Sequence, residues 1–210
     1  MMKNKFILVL SIVSLIGTVI AYFYLPEQII MHWDVHGEAT RYDPKWMVLI
    51  TGILPVIVYL GFEIIPKIDP KKENFKKHKN AYDIIRAATI LLLIVIQWFM
   101  IAVAFGINIS INTFVPLIVG IVFIVIGNYM PQFRHNYFVG IRTPWTLANE
   151  HVWKKTHQLG GYLFIVMGIL FLIQIFIRHL LVYYFTFALI FIIVLYLTVY
   201  SYVEFKKTKK

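Results

Sequence analysis

The sequence lacks cysteine and has few charged residues. None of its 210 residues is cysteine, and Asp, Glu, Lys and Arg together make up only 14%. The absence of cysteine excludes a disulfide framework, a thiolate metal site, a lipoprotein anchor and a cysteine nucleophile. Soluble domains are about a quarter charged, whereas 60% of these residues are hydrophobic and the mean hydropathy is +0.76. This composition excludes an ordinary soluble domain and indicates a protein embedded in lipid.

The net charge of +10 could suggest a nucleic-acid partner. The basic residues, however, lie at the ends of apolar runs, where the preference for positive charge on the cytoplasmic side of a membrane explains them. No known nucleic-acid-binding motif accompanies them. We therefore predict no direct contact with nucleic acid.

Six apolar runs are long enough to cross a bilayer. A helix needs roughly 20 apolar residues to span the hydrocarbon, and unpaired backbone amides in lipid cost several kcal/mol each. The predicted spans are Phe6–Leu25, Met47–Pro66, Ile84–Ile107, Thr113–Met130, Gly160–Ile177 and Val182–Val203. The fold class predicted is thus all-α, a polytopic integral membrane protein with about six transmembrane helices.

The distribution of Lys and Arg predicts the orientation of these spans. Seventeen of the 20 basic residues flank the spans on one side, and only Arg41, Lys45 and Arg178 fall on the other. The positive-inside rule places the crowded side in the cytoplasm. Both the N and the C terminus are then cytoplasmic.

The loops divide the chain into two predicted regions. Residues 1–82 form an N-terminal two-helix membrane region with an outer loop, 26–46, and a basic inner linker, 67–83. Residues 84–210 form a four-helix membrane region with an inner loop, 131–159. The linker is nearly all charge, which predicts a solvated segment that attracts the anionic lipid of the bilayer.

The outer loop carries three polar side chains at alternate positions. In a strand, His32, Asp34 and His36 would point to one face. Two imidazoles and a carboxylate could bind zinc, with water as a fourth ligand. The alternatives are structural caps and hydrogen bonds, or proton sensing. A partly alternating pattern followed by Gly37 and Pro44 predicts a short extended piece, a turn and re-entry into the membrane.

The inner loop concentrates aromatic residues beside arginine and histidine, as is typical of the lipid headgroup level. We expect Pro144 to end regular structure, and Thr146 or Asn149 to cap a short helix that runs toward Trp153 and His157. Such a helix could simply be an amphipathic connection between two spans. It could also present a binding surface.

The same loop has an unusual run of residues that carries a resemblance. The run is Gly127-Asn128, then Asn136, then Gly140-Ile-Arg142-Thr143-Pro144-Trp145-Thr146-Leu147, then Glu150-x-x-Trp153. This pattern resembles the SdpI family of bacterial membrane proteins. The outer segment from Leu25-Pro26 to Gly37 is similar to the short N-terminal domain that often accompanies that family.

The resemblance implies a bacterial cytoplasmic membrane protein that confers immunity and is not an enzyme. The family's type member protects its cell from a secreted peptide toxin and draws a cytoplasmic transcriptional repressor to the membrane. The expected binding and signature residues of the loop are Asn128, Asn136, Gly140, Arg142, Thr143, Pro144, Trp145, Thr146, Trp153 and His157. No cofactor is expected unless the outer histidines bind zinc.

Two other functions remain open from the residues alone. A transporter of a peptide or small solute would need a polar cavity at mid-membrane depth, and the spans supply little polarity for one. A zinc-dependent membrane enzyme would use His32 and His36, yet the chain lacks an H-E-x-x-H pair or a serine nucleophile motif. For the inner loop we expect Arg142 and Trp145 either to form a binding surface or to lock the loop against the helices.

Overall fold

A computed structural model describes residues 2–177 and 179–209, so that Arg178 falls outside the described residues. The long helices are α1 (Met2–Tyr22), α2 (Met47–Ile68), α4 (Lys79–Ala104), α5 (Ile111–Tyr129), α7 (Glu150–Gln174) and α8 (Leu180–Lys207). The short elements are strands β1 (Gln28–Trp33) and β2 (Ala39–Pro44), helices α3 (Lys72–Lys77) and α6 (Pro144–Ala148), and a 3₁₀ turn (Met130–Gln132).

The six long helices are each long and apolar enough to cross a membrane. The prediction of an all-α, multi-pass membrane protein is therefore confirmed, with one antiparallel hairpin of two strands in the outer loop. The fifth helix begins earlier than its predicted span, at Glu150 instead of Gly160. The reason is local, because the Asn149 side chain accepts hydrogen bonds from the amides of His151 and Val152 and so starts the helix there.

The chain packs as two compact units. The first is formed by residues up to Glu63 and by Arg86–Val115, and the second by Ile64–Ile85 and the residues from Pro116 onward. Packing thus groups the basic linker with the C-terminal helices. The division into sequence regions at residues 82–84 stays a prediction.

Polar side chains join three helices inside the first unit. The Gln97 amide on α4 donates to the Val48 carbonyl of α2 at 2.9 Å and lies 3.4 Å from the Thr18 hydroxyl of α1. The Trp98 indole, also on α4, donates to the Ser14 hydroxyl of α1 at 2.9 Å. Apolar side chains of a membrane helix are already surrounded by apolar lipid, so they gain little free energy by packing together. Hydrogen bonds and close packing therefore hold the helices together.

Glycines bring α5 and α7 into close contact in the second unit. A Cβ atom built on Gly120 would lie 2.8 Å from the Gly168 carbonyl oxygen, and one built on Gly127 would lie 2.6 Å from that of Gly161. In the other direction, a Cβ atom built on Gly168 would lie 2.6 Å from the Gly120 carbonyl oxygen, and one built on Gly161 would lie 2.7 Å from that of Gly127. Because the obstacles are backbone atoms, a side chain at any of these positions forces the helices apart.

We predict that Gly127→Ala lowers the stability of the folded protein. The added methyl group meets the α7 backbone, and overpacking of this kind costs about 1–3 kcal/mol. Thermal unfolding of purified protein in detergent measures the effect. The matched control is Gly61→Ala on α2, where an added Cβ meets nothing within 4 Å. Equal melting temperatures for the two variants would contradict the close contact.

Candidate functional site

The outer loop folds into a hairpin whose turn is organised by one carboxylate. Asp34 Oδ1 accepts hydrogen bonds from the amides of His36 and Glu38, both at 2.9 Å. These bonds, first that from Glu38, lower the pKa of the Asp34 carboxyl below its usual value. Gly37 completes the turn with a φ of +88°, a conformation that other residues rarely adopt. The predicted extended piece and turn at Gly37 are both present.

The residues of this hairpin do not fit the predicted zinc site. Strand β1 ends at Trp33, so Asp34 and His36 lie in the turn and do not share a strand face with His32. The His32 ring instead makes a hydrogen bond to the Thr40 hydroxyl at 2.7 Å. Among the described residues, no three His, Cys, Asp or Glu side chains are grouped so that they could hold a metal ion. The structural alternative, caps and hydrogen bonds, agrees with these contacts.

The hairpin is fixed to helices of the first unit. The Asn112 side-chain amide, at the start of α5, donates to the His36 carbonyl oxygen at 2.8 Å. The Trp33 ring packs 5.8 Å from Phe99 of α4, which itself stacks on Phe114 with 4.0 Å between ring centroids. Tip and strand are therefore both held, and any ligand that displaces the hairpin must break these contacts.

The inner loop is held by buried polar side chains, among them Asn136. It is fully buried, and its Oδ1 accepts from the amides of Phe138 and Val139 at 2.9 and 2.7 Å. Its Nδ2 donates to the carbonyl oxygens of Arg134 and Val139 at 2.9 and 3.0 Å. A single side chain thus satisfies the backbone of an irregular segment that has no ladder of its own.

Pro144 begins a helix, contrary to the prediction that it ends regular structure. Thr143 is the N-cap of α6, and its hydroxyl accepts from the Thr146 amide at 3.1 Å while the Thr146 hydroxyl accepts from the Thr143 amide at 2.9 Å. Pro144 stands in the first turn, where its missing N–H costs nothing. The Thr143 hydroxyl also lies 2.9 Å from that of Ser201, which ties α6 to α8.

His157 joins the loop to α7. Its Nδ1 donates to the Trp153 carbonyl at 2.8 Å, and its Nε2 accepts from the Ile141 amide at 3.0 Å. The two partners require a neutral ring with its proton on Nδ1. Gly140 sits directly against this ring with a φ of +120°, and a Cβ atom there would lie 2.2 Å from Nε2. The Trp153 indole, stacked 4.0 Å from the His157 ring, donates to the Phe133 carbonyl at 2.8 Å.

Burial decides which of the expected loop residues a partner could reach. Trp153 and His157 are 1% and 0% exposed, so they hold the loop in place and do not form an accessible surface. Arg142 is exposed and donates to the Tyr137 carbonyl at 2.9 Å. Trp145 is half-buried against Tyr202 of α8, with ring centroids 5.0 Å apart. These last contacts agree with a locking role, while the binding role of Arg142 and Trp145 stays a prediction.

Asn128 is the expected loop residue that stands apart from the others. It lies exposed on the last turn of α5, before the loop begins. The remaining expected residues, from Asn136 to His157, come together around the irregular segment described above.

The basic linker is packed against this loop, which the sequence did not predict. Asp69 is 2% exposed, and its Oδ2 accepts from the Tyr137 amide at 2.8 Å. The Asn74 amide on α3 donates to the His135 carbonyl at 2.7 Å. Phe75 is also buried. An apolar aromatic residue beside an asparagine within a run of charges was the available signal that this segment is structured.

Two histidines complete the contact between the linker and the loop. The Arg134 amide donates to His78 Nδ1 at 3.1 Å, and the Lys71 ammonium donates to His135 Nδ1 at 2.6 Å. Burial, assisted by the Arg134 charge, lowers the pKa of His78 to about 4. Burial and the Lys71 charge lower the pKa of His135 as well. Both rings are therefore held neutral in the folded protein.

Comparison with known proteins finds a family model that matches this loop. Residues 132–201 match the sequence model of the SdpI/YfhL protein family, and residues 9–58 match that of a domain of unknown function, DUF1648. We refer to this matched stretch, residues 132–201, as the SdpI region. The chain is also 28% identical over 168 residues to "Immunity protein SdpI" of Bacillus subtilis (strain 168), covering 80% of this chain and 79% of that relative. No solved structure matches the chain.

The resemblance seen in the sequence is thereby confirmed, together with its N-terminal companion domain. The SdpI region begins at the inner loop and includes Asn136, Gly140 and His157, whereas Asn128 precedes it. The linker residues Asp69 and Asn74 lie outside both matched regions. The loop of the SdpI region is therefore held partly by a segment that neither family pattern describes.

We predict that Gly140→Ala disrupts the SdpI region. The new Cβ would collide with the His157 ring and the residue would also be strained, which together should cost more than about 3 kcal/mol. Gly106→Ala is the matched control. Gly106 also has a positive φ, +83°, but a Cβ atom added there would meet nothing within 4 Å. Strain alone should cost that variant about 1–2 kcal/mol. Thermal unfolding in detergent compares the two, and equal losses would refute the contact with His157.

We also predict that acidification weakens the contact between linker and loop. The unfolded chain binds a proton to His78 near its ordinary pKa of 6.5, whereas the folded protein resists protonation until about pH 4. The stabilisation is therefore complete above about pH 7 and falls as the pH decreases toward 4, by up to about 3 kcal/mol.

Unfolding measured between about pH 7.5 and pH 5 tests this linkage. The comparison variant is His78→Asn, which keeps an acceptor near the Arg134 amide but does not titrate. Its stability should depend less on pH than that of the unaltered protein. The same pH dependence in both proteins would show that His78 does not contribute.

Proposed function

We propose that this protein protects a bacterial cell from a secreted peptide toxin that acts on the membrane. The observation that carries the proposal is the 28% identity to an immunity protein over 80% of this chain. That alignment is long enough to take in most of the membrane helices and not only the loop. The proposed activity is binding without catalysis, and it requires no cofactor.

The outer hairpin supports this role because a toxin arriving from outside meets it first. Its contacts to Asn112 and Phe99 make it a defined surface instead of a mobile loop. Exposed aromatic side chains, Tyr24, Tyr42 and Trp46, lie on or beside it in the first unit. Tyrosine and tryptophan at the lipid–water interface suit recognition of an amphipathic peptide, since one end of each ring is apolar and the other polar.

We further propose that the inner loop relays the presence of toxin to a cytoplasmic repressor. Arg142 is exposed there and Trp145 is half-buried, so both can meet a partner without unfolding the loop. A relay requires the toxin to bind one arrangement of the protein more tightly than another. The hydrogen bonds of Asn112 and Arg142 are two contacts that such a change could break.

The test is survival and membrane potential of a bacterium sensitive to an SDP-type peptide toxin, expressing this chain. We expect protection by the unaltered protein and its loss in His36→Ala. The backbone contact of His36 to Asn112 is kept in that variant, so a loss of protection reports on the exposed ring. His32→Ala, which breaks the bond to Thr40, tests the strand beside it.

The Arg142→Ala, Trp145→Ala double variant tests the inner loop in the same assay. Lys5→Ala serves as its control, since Lys5 is exposed on α1 and belongs to the first unit. The membrane level of each variant is measured alongside. Full protection by the double variant would refute a role of the inner loop in immunity itself, and failure of the unaltered chain to protect would refute immunity to this toxin.

A further inference from the structure

The inner side of the second unit contains a pocket that the proposed function does not use. Its volume is about 600 Å³, and its charged lining residues are Lys77, Arg134, Lys154 and Glu150. The lining therefore has three positively charged side chains and one negatively charged side chain. Pockets of this volume hold small ligands and headgroups, not the face of a protein partner.

Two buried imidazoles add hydrogen-bond donors to this lining. His78 and His135 both line the pocket and are both 3% exposed. His78 Nδ1 accepts from the Arg134 amide, and His135 Nδ1 accepts from the Lys71 ammonium. A neutral ring that accepts at Nδ1 carries its proton on Nε2. The His78 Nε2 atom is buried and finds no hydrogen-bond partner among the described residues, whereas the His135 ring also has the Leu147 backbone as a partner.

A buried donor without an acceptor is costly. Such a donor at His78, in a pocket whose lining has three cations, calls for a ligand rich in acceptor oxygens and negative charge. A phosphate group has both properties. Its charge is balanced by Arg134 and Lys154, which belong to the same lining as the His78 ring.

The position of the pocket along the helices indicates the source of the phosphate. Its lining comes from the start of α4 at Asn80, the 3₁₀ turn that follows α5 at Pro131, and the start of α7 at His151. These are the cytoplasmic ends of three spanning helices by the distribution of basic residues. Basic pockets between helix ends on that side lie at the depth of lipid headgroups. We propose that the pocket binds the phosphate of an anionic lipid from the inner leaflet.

Histidine NMR signals provide the direct test. Protein with ¹⁵N-labelled histidine, purified in detergent, is titrated separately with short-chain phosphatidylglycerol, the matching phosphatidylcholine, inorganic phosphate and an acidic peptide. We expect phosphatidylglycerol to shift the Nε2 signals of His78 and His135 but not that of His32 on the outer hairpin. Zwitterionic phosphatidylcholine should bind more weakly because its net charge is zero.

A charge-matched pair of double variants then locates the site. Arg134→Gln, Lys154→Gln removes two exposed lining cations, and Lys67→Gln, Lys72→Gln removes two exposed lysines outside the lining. We expect at least about tenfold weaker binding in the first variant and little change in the second. Thermal unfolding shows that both remain folded.

Three outcomes would overturn the proposal. Equal weakening in both double variants would mean non-specific attraction to a basic surface. Binding of inorganic phosphate as tight as that of phosphatidylglycerol would mean a soluble ligand in place of a lipid. Binding of an acidic peptide, with no shift by any phosphate compound, would mean a protein site.

Discussion

The close contact of α5 and α7 is the constraint on which the rest of the second unit depends. The glycine pairs Gly120–Gly168 and Gly127–Gly161 let the two backbones meet. The inner loop connects the ends of these same helices, so helix packing fixes both of its ends. A loop with fixed ends has fewer conformations available, and ordering it therefore loses less entropy.

Within that closed loop, side chains replace the regular hydrogen bonds of secondary structure. Asn136, Thr146 and His157 are fully buried, and each bonds to backbone groups of the loop. A polar group buried without a partner is costly, so these residues cannot be exchanged for apolar ones of similar size. This requirement accounts for the unusual composition by which the SdpI pattern is recognised.

Some features could be predicted because they depend on near neighbours in the sequence. The turn at Gly37 needs a positive φ, and the start of a helix after Asn149 needs only that side chain and the next three residues. The prediction that Pro144 ends regular structure was wrong for a local reason too. Proline is common both just after a helix and in its first turn, where Pro144 stands. The zinc hypothesis at His32 assumed that the strand continued, whereas β1 ends at Trp33.

The sequence by itself determined that this protein lies in lipid, where its six spans are and how they are oriented. Hydropathy and the Lys and Arg residues at the ends of the spans act on each helix separately, so no tertiary contact is needed to predict these features. Only the tertiary structure decided that Trp153 is a buried support and not an exposed anchor. It also decided that Asp69 and Asn74 belong to the inner loop's hydrogen-bond network, although more than 60 residues separate each from its partner. Such contacts have no periodic signature, since they arise only when distant helix ends come together.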